Sequence, residues 1–215
     1  MSDPSLDPES LTTGERHLLK ALRRDRRAHC RGERVRASVL RQLLVEGLDQ
    51  RPPTGVALDG AVIEGVVDLE GTVLDWPVLF FDCQFGSPGD DKAPLVLRDA
   101  RLRRLGLHQC RVYGGIKGER VQVESSLFLS RAHIDGPLRF RGARIGGSLN
   151  LEEAVLREPG NAISLDSAEI RGNWLMREAR IEGTVRFLGA TLGGSLLMES
   201  AEVRSAGAAM SADSA

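Results

Sequence analysis

The sequence has few of the residues that usually mark a reactive or cofactor-binding site. Its 215 residues contain three cysteines, four histidines and one tyrosine, and aromatic residues make up only 4%. Three cysteines cannot all pair with one another, and none of them forms a CxxC motif. These absences argue against a disulfide framework, so the sequence predicts a chain that works in a reducing cytoplasm.

Charge of one sign and long apolar runs are also missing. The chain has 29 basic and 30 acidic residues, and this balance gives no overall field that would attract nucleic acid. The opening segment MSDPSLDPES lacks the basic and then apolar run of a signal peptide. No apolar stretch approaches the roughly 20 residues that a membrane helix needs. We therefore expect no transmembrane segment and no nucleic-acid partner, and we leave peripheral membrane contact open.

What the sequence does contain is a repeat of 11 residues. A small residue opens each unit, a branched aliphatic residue or Phe follows two places later, and a second apolar pair stands at positions +6 and +8. Residues two apart share one strand face, so each pair predicts a very short strand directed at a common interior. Glycine, often at +4, interrupts any helical stripe. The repeat begins at Ala61, Thr72, Cys83, Ala100, Cys110, Val121, Ala132, Ala143, Ala154, Ala168, Ala179, Ala190 and Ala201.

Two such units complete a four-sided coil of 22 residues, so the fold class predicted is all-β, a parallel β-helix over residues 54–203. About six and a half coils stacked at the sheet spacing make a rod roughly 30 Å long. Two insertions, after Phe85 and after Leu156, fall in odd units and are expected at the same corner. We expect residues 1–10 to be a disordered N-terminus and residues 204–215 a flexible C-terminal tail.

Residues 11–50 are predicted to form a small α-helical N-terminal cap on the β-helix. Thr12 and Glu15 match a capping box, which marks the start of a helix. A second helical stretch runs from Ser38 to Glu46 and is expected to end at Gly47. Such a cap covers the open strand edges of a solenoid, which otherwise invite aggregation. A linker, residues 51–55, leads into the first coil.

These units resemble the pentapeptide-repeat proteins, in which each side of the coil carries a small residue two places before a central Leu or Phe. Ala132-His133-Ile134 and Leu138-Arg139-Phe140 show that pattern, and the likeness covers roughly residues 56–203. The resemblance implies a right-handed quadrilateral β-helix. The period here is 11 where that family would give 10, and the small position lacks the family's frequent Asp or Asn.

One outward side of the coil is predicted to be apolar. The +7 position lies between two inward residues and therefore faces outward. In odd units it holds Asp68, Val96, Lys117, Arg139, Ser164 and Arg186, which makes that side basic. In even units it holds Leu79, Gly106, Phe128, Asn150, Leu175 and Leu197, here called the apolar wall. Contiguous exposed apolar area usually marks an interaction surface, and the open alternative is that the N-terminal helix covers part of it.

A local excess of basic residues lies between Arg16 and Arg36, with nine basic residues against two acidic ones. Its centre is a run of arginines that could contact phosphates or anionic lipid: Arg23, Arg24, Arg26 and Arg27. The segment carries no aromatic residue on which a nucleic-acid base would stack. A solvated helix face is the alternative interpretation.

The sequence offers no catalytic, metal-binding or cofactor-binding residues, and we expect no cofactor. His108 and His133 are predicted to face outward, without a second ligand at metal-binding spacing. Cys83 and Cys110 occupy inward small positions, and we expect them two coils apart. That separation, about 9.6 Å, is too long for a disulfide.

The sequence thus favours a non-catalytic scaffold or protein-interaction module that presents Leu79, Phe128, Leu175 and Leu197 to a protein partner or to a second copy of the chain. The family resemblance raises two alternatives. One is a binder of a nucleic-acid enzyme such as a topoisomerase, which would call for an acidic surface, whereas residues 51–215 carry 22 acidic and 19 basic groups. The other is an oxidoreductase-type enzyme, for which no cofactor motif is visible.

Overall fold

The computed structural model describes residues 10–24, 26–46 and 55–212, and these form a parallel β-solenoid of about seven coils. The fold class predicted from the 11-residue repeat is therefore confirmed, with about 22 residues per coil; the right-handed sense of the winding stays a prediction. Residues 1–9 of the expected disordered N-terminus, the helix end at Gly47 and most of the linker at 51–55 lie outside the described residues. So do the last three residues of the expected tail.

The described residues contain two helices and 25 short strands. The helices are α1 (Thr13–Leu22) and α2 (Ala37–Val45). The strands are β1 (Ala28–His29), β2 (Arg34–Arg36), β3 (Val56–Asp59), β4 (Val62–Glu64), β5 (Val67–Asp68), β6 (Val73–Phe81), β7 (Gln84–Phe85), β8 (Leu95–Val96), β9 (Arg101–His108), β10 (Arg111–Tyr113), β11 (Ile116–Lys117), β12 (Gln122–Val123), β13 (Leu127–Phe128), β14 (His133–Asp135), β15 (Leu138–Arg139), β16 (Arg144–Ile145), β17 (Leu149–Asn150), β18 (Val155–Ser164), β19 (Glu169–Ile170), β20 (Trp174–Leu175), β21 (Arg180–Arg186), β22 (Thr191–Leu192), β23 (Leu196–Leu197), β24 (Glu202–Arg204) and β25 (Met210–Ser211).

Every strand pairs in parallel with the strand one coil away, which gives four ladders along the rod. Face 1 contains β2, β4, β7, β10, β14, β24 and the first parts of β18 and β21. Face 2 contains β5, β8, β11, β15, β25 and the last parts of β18 and β21. Face 3 contains β12, β16, β19, β22 and the first parts of β6 and β9. Face 4 contains β1, β3, β13, β17, β20, β23 and the last parts of β6 and β9.

The core is a stack of inward side chains, and its packing follows the alternation in the sequence. Repeat origins such as Ala132 and Ala154 are fully buried, and so are the aliphatic residues two places later, such as Ile134 and Leu156. The small origins leave room for these larger side chains in the middle of the coil. Phe80, Phe85 and Phe140 are the largest fully buried residues, and the rings of Phe80 and Phe85 meet edge to face with their centroids 5.0 Å apart.

The corner that precedes each repeat origin has a left-handed backbone conformation. Asp99, Gln109, Arg120 and Arg131 have φ between +55° and +57°, and Asp82, Glu153, Ser167, Glu178 and Ser200 repeat this feature. Gly60, Gly71, Gly142 and Gly189 take the same place in the other units, with φ between +62° and +69°. Sequence reasoning placed the turn conformations at the +4 glycines, of which Gly65, Gly114, Gly136 and Gly183 do have positive φ.

The N-terminal cap contains the two predicted helices and, in addition, two strands that begin the solenoid. The capping box is confirmed: the Thr12 hydroxyl accepts from the Glu15 N–H at 3.2 Å, and the Glu15 carboxylate accepts from the Thr12 N–H at 2.8 Å. β1 pairs with β3, and β2 pairs with β4. Helix α1 packs against β1 and β2, and α2 packs against β2, β5 and β6, so the helices close the N-terminal end of the rod.

Glu15 joins the helix to the first coil, because its carboxylate is fully buried and also accepts from the Arg36 guanidinium at 2.7 Å and the Arg36 N–H at 2.9 Å. Burial opposes ionisation of Glu15, but the bonds from Arg36 and Thr12 outweigh it and hold the pKa below its ordinary value of 4.5. The cap is therefore fully stabilised above pH 4.5, and this stabilisation is lost as the pH falls from there through the folded-state pKa.

We expect Glu15→Gln to lower the free energy of unfolding at pH 7 by about 2 kcal/mol, since it leaves part of the buried hydrogen-bond set unmade. The difference between wild type and variant should shrink below pH 4.5, where the wild-type carboxylate takes up its proton. Urea unfolding at a series of pH values measures both effects. A difference that stays constant with pH would contradict the role assigned to this carboxylate.

The two insertions leave the solenoid at one corner, between faces 1 and 2. Phe85, Val112, Ile134 and Leu156 are successive neighbours in the face 1 ladder, so the two insertions lie three coils apart, as the repeat predicts. At the C-terminal end, β24 and β25 both pair with β21. The ladder therefore reaches Ser211 and includes part of the segment expected to be a tail.

The expected separation of Cys83 and Cys110 is wrong. Gln84 pairs with Arg111 and Phe85 with Val112, so the two cysteines lie in adjacent coils. Units three and five of the repeat are one coil apart, because each coil contains two units. Both thiols are free and buried; the Cys83 Sγ contacts the Phe81 carbonyl oxygen at 3.3 Å and the Cys110 Sγ the His108 carbonyl oxygen at 3.5 Å. Burial raises the pKa of Cys110, which opposes formation of its thiolate.

Candidate functional site

The apolar wall predicted from the +7 positions is a single column of outward residues on face 4. Its members follow one another in the ladder without a break, and Ala57 of β3 extends the column at its N-terminal end. Leu79, Phe128 and Leu175 are half-buried by their neighbours, and Leu197 is 40% exposed. Gly106 and Asn150 are buried between them. The ladder thus brings together the four residues that the sequence singled out.

Aromatic and cationic side chains flank the N-terminal half of the apolar wall. The His108 ring stacks on Phe81 with the centroids 5.2 Å apart, and its centroid lies 5.5 Å from that of Phe128. The guanidinium of Arg27 lies 3.8 Å from the Phe81 centroid, and that of Arg104 lies 6.0 Å from the Phe128 centroid. Burial, followed by the charge of Arg27, lowers the pKa of His108, so this ring is neutral at pH 7.

The C-terminal half of the apolar wall is flanked by a polar network instead. The Asn150 side chain donates to Glu152 at 2.9 Å, and Arg177 donates to the same carboxylate at 2.6 Å. Asn150 is the ladder neighbour of Leu175, and Glu152 and Arg177 place charges of both signs beside it. One face therefore carries aromatic rings and arginines at one end and a carboxylate network at the other.

The cap does not cover the middle of the apolar wall in the described part of the chain. Helices α1 and α2 pack against strands at the N-terminal end of the rod, and of the cap residues Arg27 approaches face 4 through Phe81. Arg27 also lies 3.9 Å from the Asp59 carboxylate. Arg23, Arg24 and Arg26 are exposed beyond the end of α1. Their proposed contact with a polyanion stays a prediction.

Face 2, opposite the apolar wall, carries the second predicted column. Asp68, Val96, Lys117, Arg139, Ser164 and Arg186 are successive ladder neighbours. Arg186 is engaged by Asp166, whose carboxylate lies 2.8 Å from its guanidinium. The two opposite faces of one rod therefore differ in chemistry, and the difference comes entirely from alternate repeat units.

The histidines do not converge on a common site. His17 bonds to Glu33 at 2.8 Å and His29 to Asp59 at 2.9 Å, whereas His108 contacts Ser130 and His133 is exposed on face 1. Among residues 10–24, 26–46 and 55–212, no three His, Cys, Asp or Glu side chains come together as metal ligands would. Neither of the described helices has the length and apolar character of a membrane span.

Sequence reasoning missed the aromatic flank of the apolar wall. Phe81 and His108 stand two places after Leu79 and Gly106, where a second outward column runs along face 4. The alternation of each strand indicates this outward column, but it lies beyond the apolar pair at positions +6 and +8 on which the prediction was based.

The comparisons with known proteins name no relative: no protein-family model matches the sequence, and no characterised protein matches it significantly.

Proposed function

We propose that the protein is a non-catalytic interaction module that uses the apolar wall of face 4 to bind a protein surface, and that this surface is a second copy of the chain. The observation that supports this proposal is the unbroken column of outward residues from Leu79 to Leu197. The described helices leave the middle of this column uncovered. Soluble proteins rarely leave contiguous apolar patches without a partner.

The construction of the face supports this role. The wall residues from Leu79 to Leu175 lie in strands that pair on both sides, and Leu197 lies in a strand that pairs on one side, so the surface is formed before it meets a partner and loses little conformational freedom on binding. Aromatic residues and arginine, which are enriched at the centres of protein interfaces, stand at Phe81, Phe128 and Arg104.

The test is the absolute mass in solution, measured by light scattering over concentrations from about 1 to 500 μM. We expect wild type to approach twice its 23.4 kDa at high concentration. Leu175→Glu places a charge in the C-terminal half of the apolar wall and should shift the midpoint of association by about 100-fold, because the charge would be buried against an apolar surface.

The matched control is Val73→Glu. Val73 is an outward apolar residue on face 3 and is 57% exposed, so the same chemical change there leaves face 4 intact. We expect this variant to associate as wild type does. A wild type that is monomeric at every concentration, or an equal effect of the two variants, would refute the proposal. Circular dichroism spectra that match wild type establish that the variants are folded.

A further inference from the structure

We infer that two copies pack face 4 against face 4 with their rods antiparallel, so that a two-fold axis passes through Phe128. This inference rests on the proposed function and adds the orientation and register of the two copies. It is carried by the order of side chains along two neighbouring columns of the face. In the first column the sizes of the side chains complement the reversed order, and in the second column the reversal sets polar groups and an aromatic ring against polar partners.

The first column is the apolar wall, which has seven residues, one from each coil, when Ala57 is included. Phe128 is the fourth of the seven and therefore faces Phe128 of the other copy on the axis. Reversing the column sets Leu79 against Leu175, which joins two half-buried aliphatic residues. It also sets a small residue against a larger one in both remaining pairs, namely Gly106 with Asn150 and Ala57 with Leu197. Such alternation allows two faces to interdigitate.

The second column runs two residues further along each strand. Ladder pairs and hydrogen bonds give its order as Asp59, Phe81, His108, Ser130, Glu152, Arg177 and Glu199. The same reversal sets His108 against Glu152 and the Phe81 ring against Arg177, and it pairs Ser130 with itself. At the ends, Glu199 meets Asp59, whose carboxylate already contacts the Arg27 guanidinium at 3.9 Å and the His29 ring at 2.9 Å.

The alternative two-fold axis lies along the rod and would make the copies parallel. It would set His108 against Arg104, which stands on the far edge of face 4 beside Pro77 in the ladder. It would also leave Glu152 and Arg177 without partners across the interface. The antiparallel arrangement instead sets a small residue against a larger one at two places in the apolar wall and an imidazole opposite the Glu152 carboxylate, so it is favoured.

The size of the face sets the expected strength of association. Seven coils at the sheet spacing give a height of about 30 Å, and the strand and its corners give a width of roughly 13 Å. Two such faces bury roughly 800 Å² in total, which is the size of a weak and transient interface. A dimer with a dissociation constant in the micromolar range is therefore expected, and the concentration series covers it.

The test is a charge exchange between the two residues that face each other. Leu79→Glu and Leu175→Lys should each weaken association by about 100-fold, because a charge meets an apolar side chain. In the antiparallel dimer the double variant sets each Glu against a Lys of the other copy, and we expect it to associate at least about 10-fold more tightly than either single variant.

A double variant weaker than both single variants would overturn the antiparallel register while leaving the apolar wall as the interface, because parallel copies would face Glu with Glu and Lys with Lys. Single variants that associate like wild type would instead refute the proposed function itself. The two failures are therefore distinguishable by the same light-scattering series.

A distance measurement supports the experiment if the double variant folds poorly. A spin label on Glu199→Cys lies at the last coil, and the three native cysteines are buried, so the label is selective. Antiparallel copies separate two such labels by six coil spacings, about 29 Å. Ser130→Cys is the control, because it lies on the axis and gives a short distance. A short distance at position 199 as well would overturn the inference.

Discussion

Phe140→Ala is expected to lower the free energy of unfolding by about 4 kcal/mol, because it removes a fully buried ring from the solenoid. The ring fills a place that the neighbouring coil leaves empty. Gly118 stands at the inward position where other coils carry Leu97 or Leu165, and a Cβ on Gly118 would lie 2.4 Å from the Phe140 Cε1. Urea unfolding followed by far-ultraviolet circular dichroism measures the loss.

The same contact provides a control for the origin of the effect. Gly118→Ala alone should cost about 2 kcal/mol, since the new methyl group overlaps the ring of Phe140. Combined with Phe140→Leu, the glycine substitution should cost less than it does alone, because the smaller side chain makes room. Additive effects of the two substitutions would mean that the ring and the glycine do not share this space.

Gly183→Ala is expected to cost about 3 kcal/mol or more, because both its backbone and its surroundings exclude a side chain. Gly183 has φ +121°, and a Cβ there would lie 1.9 Å from the carbonyl oxygen of Glu158. That carbonyl belongs to the insertion after Leu156, where the pairing of β18 with β21 shifts register. Thermal and urea unfolding of the variant give the magnitude.

Gly189→Ala separates backbone conformation from steric overlap. Gly189 also has positive φ, at +62°, but the nearest atom to its Cβ is the Ser167 Oγ at 4.0 Å. We therefore expect only the left-handed penalty, about 1 kcal/mol. Equal losses in the two variants would show that the close approach of the Glu158 carbonyl does not contribute.

The parts of this fold that sequence could predict are those that depend on strict alternation. Inward and outward positions, the two columns on faces 2 and 4 and the shared corner of the insertions all follow from a period of 11 residues. The position of the Arg27 guanidinium over the Phe81 ring could not be predicted from the repeat, because these residues are far apart in sequence and meet only when the cap closes the rod.

The left-handed corners could not be predicted, because the residue types found there do not indicate a positive φ. Arg120 and Glu153 adopt left-handed φ although neither is glycine, and the ladder hydrogen bonds on both sides of these corners hold them there. Strands β1 and β2 were missed for a different reason. Each is too short to show a period, and it forms because a complete strand of the next coil is available to pair with it.

The repeated left-handed corner makes the length of this protein adjustable in whole steps. Gln109 and Arg131 have φ of +55° and +56°, and each precedes a small inward residue, Cys110 or Ala132. Excising residues 110–131 would therefore join two chain ends of matching shape and leave a rod one layer shorter. Evolution can therefore lengthen or shorten such a molecule by whole coils. Each coil gained or lost changes the number of residues in the face 4 column from odd to even or from even to odd. A two-fold axis between two copies then passes between two residues of the column instead of through one, or the reverse.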